Sequence, residues 1–536
     1  MSKLPIVQNN KEKIKRKKTP SFILELPLQV SPKQSKELLS RLESARQLYN
    51  ALLGEAKKRA MLIRQSKLFQ QAKNLPPKHK DRNVTFERAR SKYDFNEYSL
   101  HEYIGKLRHS LPNNLDIHTT QKLATRAFRS AERLLFGIAK KVRFKGYNQL
   151  NSVESKSNVT GIRWREGQVI WNKLILKPII KIDDEVIQHG LKCRVKYCRL
   201  VKKIYKGRNL FYVQLILEGK PLIKEKNKLG KGTVCFDIGP STVGIVAKDE
   251  NDNFQARLVL FCEELKSREK EIRRLQREID RQRRQNNPNN YLPDGRIKRG
   301  KKTWKKSKRQ LANENKLKEV YRVTASYRKS LQGKLANETI RMGNVFKTEN
   351  FSLKWLQKLY GKSVGMRAPG KYVSEVKRKA ENAGGSLMKF STQSTKLSQT
   401  CVCGRQEKKQ LSDRVHDCSC GVLAQRDLFT SFLGIFVEEV EKEKEYILQA
   451  AKAKELWPSA DKPLQTAWRI AVESTIGGRI PFSFGKPQAS RSQSRSFAKW
   501  GRAKFEVQDD VLALAGKESL KENKVFPSEP TGIYSP

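Results

Sequence analysis

Residues 21 to 30, SFILELPLQV, alternate so that Phe22, Leu24, Leu26, Leu28 and Val30 share one face, which predicts a half-buried strand. Ser31 and Pro32 then read as a helix start: the serine can cap, and proline's missing N–H costs nothing in a first turn. Leu38, Leu42, Ala45, Tyr49 and Leu52 follow at helical spacing, and helical patterning, interrupted at NLPPKHKD, continues to about residue 140. The period then returns to two in GIRWREGQVIW, LILKPIIKI, CRVKYCRLVKKIY and NLFYVQLILEG. A helical block therefore interrupts a β-rich unit.

Beyond the charged linker KPLIKEKNKLGKG, the stretch GTVCFDIGPSTVGIVAKDENDNFQARLVLF predicts a three-stranded meander with ENDN as its second turn. A highly charged helix, a Pro/Asn/Gly-rich basic loop and a helix over roughly 311–342 lead to the short strand GNVFKTENF. APGKYVSEVKRKAENAGG predicts a helix stopped by glycine, and SLMKFST another strand. AQRDLFTSFLGIFVEEVEKEKEYILQAA reads as one helix with Leu428, Phe432, Ile435 and Phe436 on its core face. Beyond about 455 the pattern fades, and SFGKPQASRSQSRSF has the composition of an unstructured tail. There are no internal repeats.

Charge changes the picture. The 536 residues carry 111 Lys and Arg against 54 Asp and Glu, a formal net charge of +57. Self-repulsion on that scale disfavours a compact state unless a polyanion is bound, so nucleic acid is the expected partner and a membrane is not. No apolar run is long enough to span a bilayer, and MSKLPIVQNNKEKIKRKKTP lacks the apolar segment of a secretory signal. The expected setting is cytoplasmic, where disulfides are disfavoured.

Of eight cysteines, Cys193, Cys198, Cys235 and Cys262 fall among strand-like residues and read as small buried hydrophobes. Cys401, Cys403, Cys418 and Cys420 form two Cys-x-Cys-Gly pairs, CVCG and CSCG, fourteen residues apart. Two such turns can bring four thiolates to one tetrahedral centre, and a closed four-sulfur shell predicts a structural Zn²⁺ ion. Zinc ribbons usually place two residues within each pair, whereas these have one. His416 is a spare candidate ligand, expected to be solvated.

Three acids occupy unusual places. Asp237 ends the apolar strand VCFDIG, Glu349 ends VFKTENF, and Asp427 opens a helix beside the core-facing Leu428. A carboxylate at the end of a buried strand is costly unless paired or metal-bound. Strand–Asp–hairpin, strand–Glu, helix–Asp is the order in which an RNase H-like sheet gathers acids at one edge. Three converging carboxylates predict a pair of Mg²⁺ ions acting on a phosphodiester.

FDIGPSTVGIV, KTENF and the cysteine segment leading into QRDLFTSFL resemble the three RuvC motifs of TnpB proteins, transposon-encoded RNA-guided DNA endonucleases related to type V CRISPR effectors. The third motif reads Gln425-Arg426-Asp427 where that family commonly has Asp-Arg-Asp. The resemblance implies a multidomain α/β protein: an RNase H-like (RuvC) nuclease domain with an inserted zinc ribbon, plus a β-barrel-like wedge domain interrupted by a helical recognition lobe. By that similarity residues 1–31 and 141–225 are the two parts of the wedge, the first with a basic N-terminal arm, and 32–140 the recognition lobe. Residues 226–390 carry the first two nuclease motifs, 391–421 the ribbon and 422–455 the third motif, leaving 456–536 as a tail. Asp237, Glu349 and Asp427 would be the catalytic, Mg²⁺-binding residues and Cys401, Cys403, Cys418 and Cys420 the Zn²⁺ ligands. The implied partners are a guide RNA derived from the element and target double-stranded DNA, bound by a monomer at the nucleoid, with sequence choice left to base pairing beside a short flanking motif.

Other functions compete with this one. A type V CRISPR effector shares the chemistry and differs in the source of its guide. A nuclease-silent RNA-guided regulator would most simply lack one acid, and a transposase joining strands unaided would not need so many phosphate contacts. Among aromatics in basic stretches, Phe144, Tyr147, Trp164, Trp171 and Trp304 are candidates for stacking on single-stranded RNA, each individually more typical of a core.

Overall fold

A computed structural model describes residues 19–107, 115–410, 412–440, 445–475 and 480–485. β1 (Ser21–Gln29) leads into α1 (Pro32–Gln65), whose start is locked reciprocally. The Gln34 amide donates to Ser31 Oγ at 3.3 Å, and the Ser31 amide donates to Gln34 Oε1 at 2.9 Å. α2 (Lys67–Asn74), α3 (Lys80–Lys92), α4 (Glu97–Leu107) and α5 (Ile117–Leu135) complete the helical block, with α5 packed along α1. The chain returns as β2 (Ser152–Glu154), β3 (Ile162–Arg165), β4 (Gln168–Trp171), β5 (Leu174–Pro178), α6 (Glu185–Lys192), β6 (Val195–Tyr205) and β7 (Arg208–Glu218). These strands and β1 form one antiparallel sheet in the order β2-β6-β7-β1-β5-β4-β3. β3 packs back against β6, so the sheet nearly closes into a barrel. β1 is bonded on both sides by strands from beyond the helical block, so the interrupted unit is one sheet.

The meander forms as expected: β8 (Thr233–Ile238), β9 (Thr242–Lys248) and β10 (Phe254–Leu260). α7 (Lys266–Asn286) and α8 (Lys308–Ile340) lead to β11 (Val345–Glu349). α9 (Leu353–Arg367) and α10 (Pro369–Asn382) precede β12 (Ser386–Phe390) and the one-turn α11 (Thr392–Thr395). The sheet order is β10-β9-β8-β11-β12, antiparallel through β8 and parallel thereafter. The hairpin β13 (Val415–Asp417) and β14 (Leu423–Gln425) then runs into α12 (Arg426–Ile435).

Side-chain alternation divides this sheet between two cores. Val234, Phe236 and Ile238 of β8 and Phe346 of β11 pack with Tyr372, Val376 and Ile340 from α10 and α8. Cys235 faces the other way, into a cluster with Leu428, Phe429 and Phe432 of α12. Asp237 shares the parity of Cys235, and Glu349 that of Lys347, so both acids belong to the α12 face.

Two expectations fail beyond α12. The single helix expected over 424–451 stops at Ile435, and a hairpin of β15 (Val437–Val440) and β16 (Glu445–Leu448) follows. The tail expected to lack structure from 456 begins inside α13 (Ala450–Glu473). α13 packs on β10 and buries Ala453, Ala460, Leu464, Ala467, Trp468 and Ala471, although Pro458 and Pro463 lie within it. Its burial outweighs two proline penalties that would end an isolated helix. Residues 486–536 and the arm at 1–18 lie outside the described residues.

Candidate active site and metal centre

Asp237 pairs with Gly244 across β8 and β9. A Cβ on Gly244 would stand 2.6 Å from the Asp427 carbonyl oxygen and 3.0 Å from the Leu428 nitrogen, so only glycine lets the start of α12 settle there. Further along α12, a Cβ on Gly434 would be 2.3 Å from Cys235 Sγ, a second close approach to β8. Ser431, fully buried, ties the elements together. The Asp237 amide donates to its Oγ at 3.0 Å, and its hydroxyl lies 3.0 Å from the Gly244 carbonyl and 2.8 Å from the Asp427 carbonyl.

Glu349 enters from β11. The parallel register pairs Phe346 with Val234 and Lys347 with Cys235, and continued two residues it sets Glu349 beside Asp237. Thr348 holds that alignment by donating to the Phe236 carbonyl at 2.9 Å. Lys347 ties β11 to the far end of α12, its Nζ donating to the carbonyls of Ile435 and Val437, both at 2.7 Å. Burial lowers the proton affinity of that amine.

Asp427 is only 3% exposed and its Oδ2 has no hydrogen-bond partner. Asp237 and Glu349 retain some exposure. Burial, then the charges of Asp427 and Glu349, push Asp237 well above the usual carboxylate range. Burial raises Glu349 to about 7 against the opposing pull of Arg426. Burial raises Asp427 too, opposed by Arg426 and Arg414. Arg426 Nε approaches Asp427 Oδ1 only to 4.0 Å, a loose pair for a buried acid. A donor set of hard oxygens with excess negative charge and one orphaned oxygen fits divalent cations such as Mg²⁺. Among the described residues, only the four cysteines make a group of three or more His, Cys, Asp or Glu tight enough for one ion.

Those four sulfurs all lie within 4.8 Å of one another. Cys401 and Cys420 Sγ are 3.6 Å apart, Cys403 and Cys418 Sγ 3.7 Å, far too long for disulfides. A tetrahedron with metal–sulfur bonds of about 2.3 Å has edges of about 3.8 Å, so these separations suit one Zn²⁺ ion. Each pair sits in a turn closed by its glycine: the Gly404 amide donates to the Cys401 carbonyl at 3.0 Å and the Gly421 amide to the Cys418 carbonyl at 2.9 Å. Both glycines have positive φ, 87° and 93°. With one residue fewer than usual, the turns still present amides to sulfur, Cys403 N–H to Cys401 and Cys420 N–H to Cys418. Burial raises Cys418, yet the Cys420 amide and neighbouring sulfurs bring it down to about 7.

His416 is neither a ligand nor solvated. It is buried, stacks on Phe429 with ring centroids 4.0 Å apart, and lies 2.7 Å from Lys409 Nζ through Nδ1. Burial and that lysine depress it to about 3, so the ring is neutral. Trp171 is fully buried and its indole donates to Asp116, while Trp164 packs against the same core. Trp304 lies under the Arg283 guanidinium at 3.9 Å. Sequence reasoning missed Gly244, Lys347 and Ser431; the glycine within the apolar strand TVGIVA was the available signal.

A groove of about 1750 Å³ runs between β10, α13 and residues 480–485, with Arg257 and Arg414 among its lining residues, but none of the three acids lines it. No helix among the described residues is long and apolar enough to cross a membrane. No family model and no curated protein matches the chain. Among solved structures it is similar to a Cas12f1–sgRNA–target DNA complex, at 10% identity and a TM-score of 0.43, over 78% of this chain and 98% of that one. A CRISPR–Cas12f ternary complex aligns at 10% identity and a TM-score of 0.25, over 74% and 81% of the two chains. Likeness at this level carries no functional argument.

Proposed function

We propose that this chain is an RNA-guided DNA endonuclease that hydrolyses phosphodiester bonds at Asp237, Glu349 and Asp427, with a structural Zn²⁺ ion on Cys401, Cys403, Cys418 and Cys420. The observation that carries the nuclease reading is the approach of three proton-avid carboxylates, from β8, β11 and α12, on one face of a five-stranded sheet. The order β10-β9-β8-β11-β12, in which β9 alone runs opposite to the other four strands, supports the reading of an RNase H-like (RuvC) domain. Divalent cations such as Mg²⁺, when bound, would supply Lewis-acid activation of water and stabilise the leaving oxygen. The chain's own part is to hold the three carboxylates in fixed relation through Ser431, Thr348 and Lys347. Arg426 and Arg414 moderate the negative charge without cancelling it.

Guidance by RNA rests on other support. A charge of +57 suits a partner presenting many phosphates. The motifs FDIGPSTVGIV, KTENF and QRDLF resemble those of the TnpB family, in which the transposable element supplies the guide. The nearly closed barrel and its inserted helices take the roles of wedge and recognition lobe in this reading. The test is to purify the full chain from cells, sequence the RNA that comes with it, and incubate the complex with a plasmid matched to that RNA in Mg²⁺ or EDTA. A discrete RNA and Mg²⁺-dependent cutting of matched plasmid alone are expected. Absence of any discrete RNA ends the guided reading.

A further inference from the structure

Between α5 and β2 the chain runs without regular structure, yet it is pinned at several points. The Lys145 carbonyl accepts from Arg46 Nη1 at 2.9 Å and Asn50 Nδ2 at 2.8 Å, and the Lys145 amide donates to Asn50 Oδ1 at 2.8 Å. Asn148, at φ 58°, receives a bond from the buried Lys202 Nζ to its carbonyl at 3.0 Å. The Gln149 amide closes the turn on the Gly146 carbonyl at 3.1 Å.

A loop so restrained could have turned its apolar residues inward. Instead it holds Phe144 at 54% and Tyr147 at 81% exposure. Phe144 lies over α1 at Gly54, where a Cβ would be 3.9 Å from its ring, so the ring has a floor on one side and is open on the other. In the same segment Lys140, Lys141 and Arg143 are exposed, and none is in an ion pair among the described residues. Of the five aromatics that the sequence offers for stacking, these are the two that are exposed.

We infer that Phe144 and Tyr147 are a pre-ordered stacking platform for unpaired bases of a single-stranded polynucleotide, with Lys140, Lys141 and Arg143 meeting the adjoining phosphates. Fixed rings lose little entropy on binding, and stacking on an aromatic face accepts every base. The loose cations supply the charge complementarity that fixed ion pairs would have used up. The platform needs none of the three acids, so it stands or falls apart from the nuclease reading.

The test uses the full chain, cleared of bound nucleic acid in high salt and kept in EDTA. It is irradiated with single-stranded RNA or DNA oligonucleotides carrying 5-iodouracil, and the crosslinked residues are located by mass spectrometry. Crosslinks at Phe144 or Tyr147 are expected, and the arm that gives them, RNA, DNA or both, identifies the strand. The Phe144→Leu/Tyr147→Leu variant keeps the bulk but removes the π faces. It is expected to melt as the parent does and to lose at least about tenfold in single-strand affinity, with duplex affinity unchanged. No crosslink within residues 139–149 in either arm, or parental affinity in the double variant, overturns the inference. So does an equal loss for duplex.

Discussion

Gly244 lies beneath the backbone of Asp427, so close that a single added carbon would stand 2.6 Å from the aspartate's carbonyl oxygen. Because Gly244 pairs with Asp237, that contact sets the distance between two of the three acids. Gly244→Ala is expected to push α12 off the sheet, lowering stability by about 1–3 kcal/mol and cleavage disproportionately. Thermal melting together with a cleavage assay checks this; a variant that melts low but cuts at the parental rate would detach the contact from function.

Lys347 acts at the opposite end of the same helix. Lys347→Ala leaves the Ile435 and Val437 carbonyls without their donor, at a cost of about 1–3 kcal/mol each. As a positioning residue it should also raise the Mg²⁺ concentration needed for half-maximal cutting, and Lys347→Arg should restore part of that. An unchanged Mg²⁺ dependence would reduce Lys347 to a purely structural role.

Much of this arrangement is readable from sequence, and the failures are physical. Ser31, the alternating SFILELPLQV and the FDIG hairpin carry local signals that tertiary packing reinforces. VEEVEKEKEYILQAA was misread because its residues favour helix, whereas the docked end of α12 buries Val437 and leaves Lys347 to take up its carbonyl. α13 was missed for the opposite reason: Pro458 and Pro463 signal a stop that burial against β10 overrides. α9 escaped notice because its pattern breaks at Tyr360, where φ is −123°. Convergence of acids from three distant segments is a property of sheet order, so their separation was less legible than their identity.

The three acids make metal-free protein sensitive to pH. Glu349 holds its proton more tightly when folded, rising from 4.5 to about 7, and Asp237 and Asp427 shift the same way. This contribution is intact below about pH 4.5 and is lost as pH climbs through 7, by up to about 3 kcal/mol for Glu349 alone. In EDTA, Glu349→Gln is therefore expected to melt higher than the parent at about pH 8 and equally near pH 4.5. Adding Mg²⁺ should stabilise the parent more than the variant. Equal melting at both pH values would argue that burial does not raise the proton affinity of Glu349.

The cysteine clip should hold one zinc ion per chain, measurable by elemental analysis of protein purified without added metal. Cys403→Ser or Cys420→Ser is expected to lose the metal and lower the melting temperature, because the remaining sulfurs no longer close the shell. Cutting should fall as well, since β14 runs directly into α12 and its Asp427. Full zinc content in Cys420→Ser would exclude that sulfur as a ligand.

The central claim is that Asp237, Glu349 and Asp427 together hold the ions that cut DNA. The most direct measurement compares the parent and Asp237→Ala, each carrying its co-purified RNA, on matched plasmid in Mg²⁺. Bound RNA and target affinity in EDTA should be equal, and cleavage by the variant should fall by at least about a hundredfold. Cleavage by Asp237→Ala at the parental rate would contradict the account.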